Sequence, residues 1–374
     1  MLTRRAFLAS ASALPLASLL ARAADALPPR KTAVSIEGRA FHVNGKPTYA
    51  GRTFEGRKVE GLLLNSRMVQ ATFDDENAES RKLWAYPDGS AYDAERNVRE
   101  FVAAMPEYRR RGLIGFTVNL QGGSPQGYSK EQPWVNSASD FRTGALKPAH
   151  LARMERVLDS ADALGMVPIL GLFYFGQSPR FESEQAVVAA VDNATDWLVS
   201  KGYTNVIVEV ANECNVGKHP DVIKPARAHE LIERIQKRSA GKLRTPAGRL
   251  LVSTSYGGGT IPGENVAGVA DFLLLHGNGV KEPARVTQMV ERTRALKAYK
   301  GQPILFNEDD HFDFDKPANN MLAAVSAYAG WGFFDYRMKG EGFAEGYQSV
   351  PVDWGINSAR KRGFFDLLAK VTGA

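Results

Sequence analysis

The chain of 374 residues holds a single cysteine, Cys214, so no disulfide can form within it. Beyond the N-terminus no apolar run approaches the roughly 18 residues of a membrane span. No Gly-rich phosphate loop follows the first apolar run, no Ser sits in a G-x-S-x-G elbow, and there is no Walker loop and no H-E-x-x-H. The signatures of nucleotide binding, α/β-hydrolase chemistry and zinc proteolysis are thus missing. No cofactor is expected. Cys214 reads as a small buried residue, since a nucleophilic thiol needs a positioned base and no family signature supplies one.

What is present is ordinary for a globular protein: 44% hydrophobic and 24% charged residues. The first 26 residues differ. "MLTRRAFLASASALPLASLLARAADA" has a basic start, an apolar middle and small residues at its end, the layout of an export signal. Arg4-Arg5 followed by Ala6-Phe7-Leu8 resembles the twin-arginine signal of bacteria. Ala21-Arg22-Ala23 and Ala24-Asp25-Ala26 are candidate cleavage sites, and the mature chain is expected outside the cytoplasm, in the periplasm or beyond. Losing residues 1–23 removes three arginines and no acid, so the formal charge falls from +6 to +3. Much of the basic balance therefore belongs to the leader, and neither nucleic acid nor a membrane surface is expected as a partner.

The rest of the chain repeats a pattern rather than a sequence. Eight short apolar runs lie at 61–73, 112–120, 165–175, 205–213, 249–256, 271–279, 303–310 and 330–337. Most are too continuously apolar for half-exposed strands and read as parallel strands covered on both faces. Amphipathic helical patterns separate them, as in "AERNVREFVAAMPEYRRRG" and "PAHLARMERVLDSADALG", with others at 182–200, 220–240, 284–300 and 317–329. The link after the fifth run is short and weakly helical. Eight strand-then-helix units predict a (β/α)8 barrel over residues 61–374. A doubly wound sheet is the rival fold, and its phosphate loop is absent. Residues 27–60 form a β extension in this reading, with hairpins over 33–59 and a tight turn at Asn44-Gly45, set against one end of the barrel.

In such a barrel the chemistry sits at the C-terminal ends of the strands. The second run ends at Asn119, the fourth at Asn212-Glu213, the sixth at His276, the seventh at Asn307-Glu308 and the eighth at Asp335-Tyr336-Arg337. Glu213 and Glu308 can face each other across the pocket. Two facing carboxyls, one protonated and one ionised, are what glycoside hydrolysis requires.

The motifs "VANE" and "LFNE" at those two strand ends resemble the glycoside hydrolases of clan GH-A, the superfamily that includes the family 5 endoglucanases and mannanases. The resemblance covers about residues 60–370. It implies that Glu213 is the acid/base, that Glu308 is the nucleophile, and that Asn212 bonds the sugar 2-hydroxyl. It also implies retention of configuration, with carboxyls roughly 5–5.5 Å apart. Three features depart from the family 5 pattern. Cys214 stands where Pro is usual, the tyrosine near strand six is not evident and His276 is there instead, and the tryptophan of strand eight is displaced to Trp331.

Glu209 is an interior acid, either simply hydrogen-bonded or supporting the site. His276 is expected to bond the nucleophile or the sugar. Arg67 and Arg337 are neighbours around a closed barrel. They either bind an acidic sugar together or neutralise Asp74, Asp75 or Asp335. Stacking platforms are sought in Phe173, Tyr174, Phe175, Trp134, Tyr336, Tyr347 and Trp354. The acidic segment "NEDDHFDFD" (307–315) either holds a divalent metal or caps a helix beginning near Pro317 with Asp313 and Asp315. "FDDEN" (73–77) reads as loop or helix-start chemistry.

The expected function is a retaining glycoside hydrolase acting on a poly- or oligosaccharide. Two alternatives stand beside it: a barrel that has lost catalysis and binds carbohydrate, and a metal-dependent barrel enzyme using the acids at 307–315.

Overall fold

The computed structural model describes residues 29–129 and 131–374. The export-signal residues 1–26 lie outside the described residues.

All eight apolar runs contain strands. They are β1 (Asn65–Ser66), β2 (Gly115–Asn119), β3 (Val167–Tyr174), β4 (Ile207–Asn212), β5 (Leu251–Ser253), β6 (Leu273–His276), β7 (Ile304–Glu308) and β8 (Gly332–Phe333). Parallel ladders join β2–β3–β4–β5, β6–β7 and β8–β1. Single parallel bridges add Arg67–Thr117, Leu305–Gly330 and Asp309–Phe333. Among the described residues no ladder joins β5 to β6. Asp271 connects them instead: its backbone N donates to Val252 O at 3.0 Å and its carboxylate accepts from Val252 N at 2.8 Å. Arg249 holds that carboxylate from both ends.

Each strand is followed by a helix: α1 (Ala94–Arg110), α2 (Pro148–Leu164), α3 (Glu184–Ser200), α4 (Ala228–Ser239), α5 (Glu264–Val269), α6 (Pro283–Arg294), α7 (Asn320–Ser326) and α8 (Ala359–Thr372). In α1, Asp93 caps the start by accepting from Glu95 N, and Ala94, Asn97, Val98, Phe101, Met105 and Tyr108 form the buried stripe. α2 opens on Pro148 and stops at Gly165, whose φ of 69° is left-handed. The weakly helical link after the fifth strand is the six-residue α5. α7 begins at Asn320, not near Pro317, because Asn319 supplies the cap by accepting from Leu322 N. Asp313 and Asp315 do not cap it. No helix of the described residues is long and apolar enough to cross a membrane.

The segment before β1 forms two small antiparallel sheets. Val34–Glu37, Ala40–Val43 and Lys46–Pro47 make one, and Thr53–Phe54 with Arg57–Lys58 the other. Asn44 and Gly45 both have positive φ, 52° and 74°, as a tight two-residue turn requires. Val34 and Phe41 pack with Leu63, Ile114, Val167, Ile207, Leu251, Leu274 and Leu305. Those residues lie within two positions of the N-terminal ends of their strands. The N-terminal sheet therefore covers the end opposite Glu213 and Glu308.

Candidate active site

β4 and β7 deliver the two glutamates. Glu308 is the last residue of β7 and only 4% exposed. Glu213 follows β4 directly with a left-handed φ of 54°. This costly conformation for a non-glycine residue is held by Ser255, whose Oγ accepts from Glu213 N at 2.9 Å. His219 braces the residue before it, its Nε2 lying 3.2 Å from Asn212 O and its Nδ1 2.7 Å from Ser178 Oγ.

His276, at the end of β6, sits between the two acids. Its Nδ1 is 2.9 Å from Glu213 Oε1 and 3.7 Å from Glu308 Oε2. One ligand atom from each of the three side chains falls within 4.8 Å of the others. Arg67, just after β1, places Nη1 2.9 Å from Glu308 Oε2, a charge contact rather than an aligned hydrogen bond. Its Nε donates to Gln348 Oε1 at 2.8 Å. Asn278 Nδ2 donates to Glu308 Oε1 at 2.6 Å and to the Tyr128 hydroxyl at 3.0 Å. Tyr128 in turn donates to Asp310 Oδ2 at 3.0 Å.

The electrostatics follow from burial and these partners. Burial pulls the His276 imidazole down, but Glu308, Glu213 and Glu209 together hold it above its ordinary value. Burial raises Glu308, and the charge of Glu213 adds to the rise. Arg67, His276 and Asn278 oppose it, and the net direction is up. Burial also raises Glu213, but the hydrogen bond and charge of His276, with Arg67, outweigh it, and the net direction is down. Glu209 lies deeper in β4, fully buried, and burial raises its carboxyl. Asn307 Nδ2 donates to its Oε2 at 3.3 Å, while Oε1 has no partner. Glu209 is thus an interior acid bonded from β7.

The other expected site residues divide. Asn212 ends β4, and its buried Oδ1 has no hydrogen-bond partner. Tyr174 ends β3 opposite Asn212, and Arg67, Glu308 and Glu213 all act on its hydroxyl. Asn119 ends β2 with both side-chain polar atoms unpartnered, next to Gly171. Tyr336 stands against Tyr128, ring centroids 5.0 Å apart. These residues share the strand ends with the acids.

Three residues do other work. Trp134 is buried edge-on against Trp84, because the long loop after β2 doubles back onto the core. Trp354 donates from Nε1 to Asn97 Oδ1 at 3.0 Å and stacks on Tyr347, both of them buried. Neither indole offers a face to a sugar. Arg337 spends its guanidinium on the carbonyls of Gly342, Phe343, Ser349 and Pro351 and braces its own loop. It does not pair with Arg67, whose charge partner is Glu308, and Asp335 pairs with Arg360 at 2.7 Å.

Asn278, Tyr128 and Gln348 touch the acids or their partners and carry no sequence signal. Cys214 is buried, and burial pushes its thiol up to about 12, away from nucleophilic use. Asp74 pairs with Arg81 and Arg153, and Asp75 accepts from Ser80 Oγ and Trp84 Nε1, so "FDDEN" organises its own loop.

A cation could be reached by Glu213, His276 and Glu308 together, or by Asp309, Asp310 and His311. In the second group the oxygens of Asp309 already accept from Trp331 Nε1 at 2.8 Å, Asn320 Nδ2 at 3.0 Å and His311 Nδ1 at 2.7 Å. Asp309 is thereby fixed as an internal anchor of the loop after β7.

No family model matches the sequence. No curated protein matches it either. Solved structures do. A broad-specificity endoglucanase of glycoside hydrolase family 5 from Ruminococcus flavefaciens superposes with a TM-score of 0.54 at 13% identity, over 84% of this chain and 97% of that one. A second, from Bacteroides salanitronis, gives 0.52 at 11% identity, over 83% and 93%. A family 5 glycoside hydrolase from Bacteroides vulgatus gives 0.52 at 14%, over 87% and 68%. In fold, the chain is similar to the glycoside hydrolases of family 5.

Proposed function

We propose that this chain is a retaining glycoside hydrolase on a (β/α)8 barrel, exported after removal of its leader, acting on an oligo- or polysaccharide. One observation carries the reading: Glu213, just after β4, and Glu308, ending β7, each hold a carboxylate oxygen within 4.8 Å of the other's, with His276 between them. Inverting enzymes need roughly 6.5–9.5 Å between carboxyls for a water, retaining ones roughly 5–5.5 Å. The close approach favours the retaining pair.

In the first step Glu308 attacks the anomeric carbon while Glu213 gives a proton to the leaving oxygen. In the second, Glu213 takes a proton from water as that water displaces Glu308. The reaction needs Glu308 ionised and Glu213 protonated. The resting directions are the reverse, with Glu308 held up and Glu213 held down. The working order is the one in which Glu308 carries the charge. Arg67 and Asn278 stabilise the ionised Glu308. Asn212, with an unpartnered oxygen beside the acid, is available to a sugar hydroxyl.

Proton NMR of the first product tests the mechanism: the anomer initially released should keep the configuration of the substrate. Initial release of the opposite anomer would refute the double displacement. The carbohydrate-binding alternative draws on His276 at the end of β6, where the family 5 resemblance implies a tyrosine nearby, and on the displaced tryptophan of strand eight, Trp331. It predicts glycan binding with no turnover.

A further inference from the structure

The mouth is asymmetric. On the Glu213 side, the hydrogen bonds between loops join neighbouring strands among the described residues: Asn215 Oδ1 accepts from Gly257 N, and His219 meets Ser178. On the Glu308 side a connection crosses over several strands. The loop after β2 runs along the loop after β8, where Val350 N donates to Pro125 O at 2.8 Å, Gln348 Nε2 to Gly127 O at 3.3 Å, and Gln126 bridges Ser349. Gly127 lets it lie there. Its φ is 84°, and a Cβ would fall 2.6 Å from Tyr336 Cβ. From this ledge Tyr128 reaches over to the loops after β6 and β7, bonding Asn278 and Asp310, with its ring against Phe334 and Tyr336. Asp310 is fixed in turn by Gly279 N. Apart from the contact of Glu213 with His276 inside the site, no hydrogen bond among the described residues crosses over a strand from the loop after β4.

The chemistry assigns directions to the two sides. The nucleophile attacks the sugar that carries the anomeric carbon, and the acid faces the leaving group. The walled side is therefore the side of the attacked sugar and of whatever continues from it towards the non-reducing end. We propose that the Tyr128 wall closes the site one sugar beyond the scissile bond, so that the protein removes single sugars from non-reducing chain ends and does not cut within chains. This rests on the hydrolase reading above and adds its mode of action.

The test uses the mature protein and short gluco-, manno-, galacto- and xylo-oligosaccharides in α and β linkage, labelled at the reducing end, with initial products resolved by mass. A monosaccharide plus a labelled chain one sugar shorter is the expected first product pair. Tyr128→Ala, checked as folded by circular dichroism, should raise the share of initial products that carry two or more unlabelled sugars by about tenfold or more. Tyr128→Phe, which keeps the ring, should leave that share low. Initial products of two or more unlabelled sugars from the parent protein would overturn the inference and leave the hydrolase standing. An unchanged product set in Tyr128→Ala would overturn the role of the wall. Absence of cleavage of every oligosaccharide by the parent would overturn the hydrolase reading, and this inference with it.

Discussion

The guanidinium of Arg67 meets the carboxylate of Glu308 at 2.9 Å, and both side chains are almost wholly buried. A buried ion pair is held at a cost in lost hydration, so removing one partner leaves the other stranded. Arg67→Ala should cost about 3–5 kcal/mol of stability, measured by denaturant unfolding. It should also abolish activity, because the ionised Glu308 loses its counter-charge. Arg67→Lys keeps a charge but not the Nε bond to Gln348, and should fall between the two.

His276 gives a pH signature. Its pKa is held above the ordinary 6.5 because carboxylate neighbours outweigh burial. The stability it contributes is therefore complete below 6.5 and is lost as pH rises through the folded-state value. The parent's unfolding free energy should decline over that range, and His276→Asn should flatten the decline.

Glu209 should oppose stability at neutral pH. Burial raises its carboxyl above 4.5, so ionising it costs the folded state more than the unfolded one. Glu209→Gln keeps the acceptor for Asn307 and removes the charge. The variant's Tm should match the parent's near pH 4 and exceed it increasingly as pH rises. In a chain of this length a gain of about 1–2 °C corresponds to roughly 1 kcal/mol. Equal melting temperatures across the range would show that Glu209 is not strained by its burial.

The indoles make a contrasting prediction. Trp354→Phe breaks the bond to Asn97 in a buried stack and should cost about 1–3 kcal/mol, with KM for any substrate unchanged. A rise in KM without loss of stability would place Trp354 in the sugar site after all.

The strand frame was legible because parallel strands buried on both faces must be written as continuous apolar runs, and all eight runs contain strands. The polar strand ends stood out against that background, which is why Asn212, Glu213, His276 and Glu308 could be picked. The N-terminal turn was legible through Asn44-Gly45, a pair suited to left-handed backbone. What lay in the loops was not. Trp134 and Trp354 are amphipathic rings whose sequence neighbours do not say whether their loop turns inward. Arg337 was assigned an anion, but a guanidinium serves backbone carbonyls equally well. Asn278 reaches Glu308 across 30 residues of sequence and Tyr128 reaches Asn278 across 150, through meetings of loops that no local pattern encodes.

The measurement that bears most directly on the central claim is sugar release from a broad panel of polysaccharides and aryl glycosides by the mature protein, Glu213→Ala and Glu308→Ala. The account predicts turnover by the parent on at least one substrate and losses of about 10²–10⁴ or more in both folded variants. Full activity in folded Glu308→Ala would contradict it. So would binding of a glycan by the parent with no turnover on any substrate.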